Sequence, residues 1–238
     1  MNKLSLNSFI QKYHLGGNVN SVKWNSDGTK LSTRFISGDK SLLGELTLGK
    51  QKLPEFEVGV YDTSLLQKML STLSDSVNFK INEVDGEPVN FNFSDSSLSV
   101  DYVLAATGVI PDVPEMKKMP EFGTLLKLDS QFINSFIKGK AALSDVETFA
   151  ITPVKGGVEV TIGYSDMNSN RISIAVQSGA VDLENPVIFN ADLFKEVLSA
   201  NKECSKATLN VSAKGLAFVE FKIDDFVAKY YLVSQQTT

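Results

Sequence analysis

The chain has 238 residues, enough for one large domain or two modest ones, and its 42% hydrophobic and 21% charged residues are an ordinary globular composition. The formal net charge is −5, and apart from Arg34 and Arg171 every basic residue is a lysine, which argues against a tight binder that reads bases through arginine forks. No apolar run reaches the ~20 residues of a membrane span, residues 1–5 lack a signal peptide's apolar core, and the single cysteine excludes an internal disulfide, which fits a reducing cytoplasm.

In chain order, the pattern predicts a short opening strand and then a helix whose Leu6, Phe9, Ile10 and Tyr13 form one apolar stripe. Period-two segments follow, broken by turn signals at Asp27-Gly28 and Asp85-Gly86, with Trp24 read as a sheet-packing residue. Between them Asp62 is a candidate N-cap for a second helix carrying Leu65, Leu66, Met69 and Leu70. Residues 105–123 hold Pro111, Pro114 and Pro120 with Gly108 and Gly123, and read as an extended connector. The order then recurs: a short strand, a helix with Phe132, Ile133, Phe136 and Ile137, alternating segments around Gly156-Gly157, and a helix with Leu193, Phe194, Val197 and Leu198. Asp224-Asp225 reads as an exposed hairpin turn before a final alternating strand.

The recurrence is a duplication. Residues 60–71 align with residues 188–199 without a gap at an offset of 128, with Asp62 on Asn190, and the same offset carries residues 101–104 onto 229–232. Residues 4–10 align with residues 126–133 with one extra residue, Gln131. Two blocks in the same order make chance similarity between amphipathic segments a poor account. The expected architecture is α+β: a first module over 1–105, a connector over 106–123 and a second module over 124–238, each an antiparallel sheet with two helices on one face.

The outward faces of the four helices read as polar and mildly basic: Ser8, Gln11 and Lys12; Gln67, Lys68, Ser71 and Thr72; Asn134, Ser135, Lys138 and Lys140; Lys195, Ser199, Asn201 and Lys202. Acids on the helices sit mainly at the starts, where capping and the helix dipole favour them, with Glu196 and Glu203 the exceptions. On charge alone, a solvated face with scattered lysines is the favoured reading.

Catalytic chemistry finds little footing. His14 is the only histidine and falls at the end of the first helix, where the dipole favours a cation; no partner for a general base is evident. Cys204 has no second cysteine or histidine with which to build a zinc site, and there is no Walker loop, no Gly-x-Gly-x-x-Gly and no nucleophile elbow. The expectation is a protein that scaffolds other molecules, without a catalytic residue, metal or cofactor.

The duplicated order strand–helix–strands–helix–strands with a proline-containing connector resembles the DNA sliding clamps, and most closely the bacteriophage clamps of the T-even type. Residues 56–62 resemble the segment leading into that family's second helix, residues 147–152 followed by Lys155-Gly156-Gly157 its second-domain hairpin, and residues 228–232 the closing strand of clamps generally. The resemblance covers the whole chain and rests on order and spacing.

It implies the DNA clamp fold and a homotrimeric ring around duplex DNA, bound without regard to sequence, that tethers a polymerase and confers processivity. It further implies an ATP-dependent clamp loader, transcription factors of the same phage as partners, no membrane association, and the cytoplasm of an infected bacterium as location. The DNA-facing residues would be Lys12, Lys68, Lys138, Lys140, Lys195 and Lys202. The subunit interface would join Leu98, Val100 and Tyr102 of one chain to Arg171, Ile172, Ile174 and Val176 of the next. A partner-peptide pocket would be formed by Val109, Ile110, Val113, Met116, Tyr231 and Val233, with the connector's density of apolar residues as its motive. A monomeric or dimeric open-face processivity factor and a duplicated virion structural protein are the alternative readings.

Overall fold

The structure, a computed structural model, describes residues 3–116, 118–165, 167, 169–178 and 180–235. The chain divides into two compact units, one of Met1–Ile36 and Glu45–Pro114, the other of Ser37–Gly44 and Glu115–Thr238. The division falls within the expected connector, and a hairpin turn from the first module's sequence counts with the second unit.

The first unit contains α1 (Lys3–His14), β1 (Val22–Asp27), β2 (Leu31–Ile36), β3 (Leu42–Leu48), β4 (Glu55–Val60), α2 (Thr63–Ser71), β5 (Asn78–Val84), β6 (Glu87–Ser94) and β7 (Ser99–Val103). The neighbour order is β4-β1-β2-β3 in one sheet and β5-β6-β7 in another. Asp85 and Gly86, with φ of 54° and 82°, form the two-residue connection between β5 and β6. Positive φ at both positions matches the twist of a tight hairpin. The core gathers around Trp24, which is fully buried, with its ring 5.4 Å from Phe9 edge-on and 5.3 Å from Phe91. The expected sheet-packing role of Trp24 is what the structure shows.

The second unit contains β8 (Thr124–Asp129), α3 (Ser130–Ala142), β9 (Thr148–Val154), β10 (Gly157–Ile162), β11 (Ile172–Gln177), β12 (Val187–Asn190), α4 (Ala191–Ala200), β13 (Lys206–Ser212), β14 (Leu216–Ile223) and β15 (Phe226–Val233). Its strands run β11-β10-β9-β12 and β15-β14-β13-β8, with antiparallel pairing. Val233 N–H donates to Ser41 O at 2.8 Å, which ties residues 37–44 to this unit. Phe136 meets Phe194 at 4.9 Å and Phe149 at 5.1 Å, so α3 and α4 pack together over β9 through one aromatic cluster.

The duplication is visible in the elements. An offset of 128 carries β5 onto β13 residue for residue, and the first residue of α2 onto the first of α4. The caps repeat too: an Asp62 carboxylate oxygen accepts from Leu65 N–H, and the Asn190 amide oxygen from Leu193 N–H, each at 2.9 Å. Asp129 does the same for α3 through Phe132 N–H at 2.9 Å. Each such cap stabilises its helix by ~1 kcal/mol.

One expected element is different. Residues 4–7 do not form an opening strand; they are the first turns of α1, which begins at Lys3. In β8 the alternating Leu126 and Leu128 are both fully buried, whereas the corresponding Leu4 is 69% exposed. The helical stripe of Leu6, Phe9, Ile10 and Tyr13 is buried throughout and extends the helix to the start of the described chain.

Candidate functional site

The polar faces of the helices are less uniform than their spacing implies. Lys68 on α2 and Lys138 on α3 are exposed. Lys202 is exposed as well, but lies in the turn beyond α4. Lys195 is half-buried, with Nζ donating to Glu196 Oε1 at 2.9 Å, so an adjacent carboxylate offsets its charge. Lys12 and Lys140 are buried, 1% and 2% exposed, which corrects their assignment to an outward basic face. Lys140 Nζ donates to Ser144 O at 2.7 Å and pairs with Asp192 Oδ1 at 2.8 Å, holding the end of α3 to the start of α4. Asn201, also expected outside, is fully buried and donates to Val197 O and to Tyr230 Oη, each at 2.9 Å. Burial pushes the Tyr230 phenol up, so it stays neutral and available to that bond.

His14 closes α1 as expected. Burial lowers its pKa, and Nε2 shares a 3.0 Å hydrogen bond with Ser64 Oγ at the start of α2. Cys204 is buried with its thiol on Lys206 O at 3.2 Å. Among the described residues no group of three His, Cys, Asp or Glu side chains is placed to hold a metal ion.

Both segments assigned to a subunit interface lie at sheet edges: β7 ends the β5-β6-β7 sheet and β11 ends the β11-β10-β9-β12 sheet. Leu98 is 47% exposed and Val100 half-buried, but Tyr102 is turned inward, 3% exposed, accepting from Asp62 N–H at 3.0 Å. Tyr102 therefore braces the cap of α2, and its side chain is withdrawn from the interface set. On β11, Ile172, Ile174 and Val176 are half-buried on one face, and Arg171 before the strand is exposed.

The expected partner pocket is distributed over both units. In the first, Ile110 is buried and Val109 is 60% exposed. Val113 is half-buried and lines a groove with Lys23, Arg34, Glu45 and Glu57. The connector is fastened there by Lys23 Nζ on Asp112 Oδ1 at 2.8 Å and by Arg34 donating to Pro114 O at 2.8 Å. Lys23 also holds the exposed Asp112 carboxyl below the usual carboxylate range. In the second unit, Met116 is half-buried and Tyr231 is buried, stacked on Phe218 at 4.9 Å, while Val233 is 47% exposed. Phe122 stands 6.2 Å from Phe218, so the connector's end adds a third ring. Sequence reasoning passed over Lys23, Arg34, Phe122 and Phe218. Arg34 carried a signal in being one of two arginines; the others are ordinary strand or connector residues.

A scan against protein-family models gives no match, and a search of curated proteins gives none. Solved structures match over nearly the whole chain. A proliferating cellular nuclear antigen (PCNA) from Entamoeba histolytica matches with a TM-score of 0.74 and 15% identity, covering 99% of this chain and 97% of that one. A structure of the PCNA2–PCNA3 complex from Sulfolobus tokodaii matches at 0.72 and 13%, covering 99% and 98%. PCNA of A. fulgidus, solved with the C-terminal region of FEN-1 bound, matches at 0.76 and 13%, covering 100% and 98%. The chain thus has the α+β fold of the PCNA-type DNA clamps, built from two similar units of antiparallel sheet and paired helices.

Proposed function

We propose that the protein is a DNA sliding clamp: a homotrimeric ring that encircles duplex DNA and tethers a replicative polymerase. The observation that carries this is the clamp fold over the whole chain, at TM-scores of 0.72 to 0.76. Self-association and capture of partner segments extend to this chain what two of those structures contain, a PCNA2–PCNA3 complex and a PCNA with a piece of FEN-1. The whole-chain resemblance in order and spacing adds the T-even phage type, with an ATP-dependent loader and phage transcription factors as further partners in an infected bacterium. DNA contact falls to Lys68, Lys138 and Lys202, with Lys195 beside them, and chain-to-chain contact to the β7 and β11 edges. Partner segments are assigned to the connector side, at Val113 in one unit and near Tyr231 and Val233 in the other. The protein acts as a scaffold and is not an enzyme in this reading.

The few exposed lysines of the helix faces, Lys68 and Lys138 with Lys202 beyond α4, and an overall charge of −5 favour retention by topology over retention by affinity. An open-face binder needs a richer basic surface, and burial of Lys12 and Lys140 thins the one available. Binding to short linear duplex should be weak and should fall as salt rises through counterion release. Assembled on a nicked circular plasmid, the protein should resist high salt and leave when the circle is linearised. Protein that stays on linearised DNA in high salt contradicts encirclement.

A further inference from the structure

The two units differ at one sheet edge. In the second unit β13 has β14 on one side and β8 on the other. Its counterpart β5 has β6 on one side and, among the described residues, no strand on the other. Of the residues that correspond to β8, residues 3–7 are wound into α1, whose start is fixed by Lys3 Nζ donating to Leu73 O. The first unit therefore leaves a row of backbone donors and acceptors along the outer edge of β5.

A groove follows that edge, lined by Lys52, Leu53, Pro54, Phe79, Lys80 and Ile81 among others. Phe79 and Ile81 are half-buried on one face of β5 and Lys80 is exposed on the other, so the groove runs along the strand instead of over one face. Its lining includes Lys52 and Lys80 but no acid.

The second unit shows what fills the equivalent place. In β8, Leu126 stands opposite Leu209, Leu128 opposite Ala207, and Lys127 between them opposite Thr208. Moved by the 128 offset, those partners become Ile81, Phe79 and Lys80. An added strand would set apolar residues against Ile81 and Phe79, and would set its intervening residue against a lysine where the second unit has a threonine. Opposite charges across a strand pair stabilise it and like charges do not, so that residue should be acidic.

We propose that the open edge of β5 is a docking site for an extended segment of a partner protein, with alternating apolar residues facing Phe79 and Ile81 and an Asp or Glu facing Lys80. The segment adds as an antiparallel strand, a recurring mode of peptide capture. It covers residues 78–82, because the register shift between Asn82 and Glu83 interrupts the regular edge beyond. The site does not depend on ring formation or on DNA, so it stands or falls apart from the clamp reading.

The probe is a labelled synthetic peptide of the β8 sequence with glutamate in place of the lysine at position 127, alongside the unaltered β8 peptide. Fluorescence anisotropy should show the glutamate peptide binding the wild-type chain better than the lysine peptide, by about threefold to tenfold. Lys80→Glu, at an exposed side chain, should reverse that preference. Backbone amides of residues 78–82 should exchange quickly in the free chain and slow with peptide bound. No binding, or equal binding by wild type and Lys80→Glu, overturns the proposal. So does protection of the same amides in the free chain, which would mean that its own residues or a second copy already cover the edge.

Discussion

Proline at the outward-donating position in the middle of β11 is expected to separate the chains of the proposed ring while leaving each chain folded. β11 is the edge of its sheet, paired to β10 with Ile174 opposite Val160 and Ala175 opposite Glu159. Successive N–H groups of a strand point to opposite sides, so of Ile174 and Ala175 one directs its N–H to β10 and the other to the open edge. Ile174→Pro and Ala175→Pro should accordingly differ. The variant that removes the inward donor breaks the β10–β11 ladder and loses stability. The one that removes the outward donor keeps its circular dichroism and melting behaviour but cannot pair across the edge. Loss of an edge hydrogen bond together with the proline ring's clash should weaken each chain-to-chain contact by roughly tenfold or more. Closing a trimer needs three such contacts, so the loss multiplies. Sedimentation should find the folded variant as a monomer; a folded variant that assembles like the wild type removes β11 from the interface.

Trp24→Ala should be the most destabilising single change in the first unit. The indole is fully buried and makes ring contacts with Phe9 from α1 and Phe91 from β6, as well as Tyr13 at 6.3 Å. Removing it leaves a cavity bordered by rings held on separate elements, which cannot all close in. Large aromatic-to-alanine changes in such cores cost ~3–5 kcal/mol, a large part of the ~5–15 kcal/mol that holds a typical domain together. Trp24→Phe should cost clearly less. Because Trp24 is the only tryptophan, unfolding has to be followed by circular dichroism in urea, not by intrinsic fluorescence. A Trp24→Ala midpoint close to wild type would mean that the aromatic cluster does not hold the unit together.

The parts of this fold that were readable in advance are those set by local rules. Asp62, Asp129 and Asn190 cap helices because a short polar side chain can reach the N–H three residues on, wherever the helix sits. The duplication was readable because strands and helices kept their spacing, down to β5 and β13 having matching bounds. The lysines were harder. Lys140 stands four residues after the buried Phe136, on the apolar stripe itself, so helical spacing marked it as inward; its polar end is satisfied by Ser144 and Asp192, which only the packing of α3 on α4 brings near. Tyr102 joins the interface set through the clamp resemblance; alternation in β7 does not say which half of the strand faces the core, and in the structure its hydroxyl meets Asp62 across forty residues of sequence. The missing opening strand has the same origin: residues 4–7 satisfy an alternating and a helical pattern alike, and burial of Leu6 with Phe9 and Ile10 selects the helix.

The central claim is a ring of three chains, and the molar mass of the wild-type protein in solution tests it most directly. Light scattering on a sizing column at micromolar concentration should return three times the 26.0 kDa of one chain, in a single species whose mass does not fall on modest dilution. A mass of one or two chains over that range would contradict the ring and return the clamp fold to an open-face role.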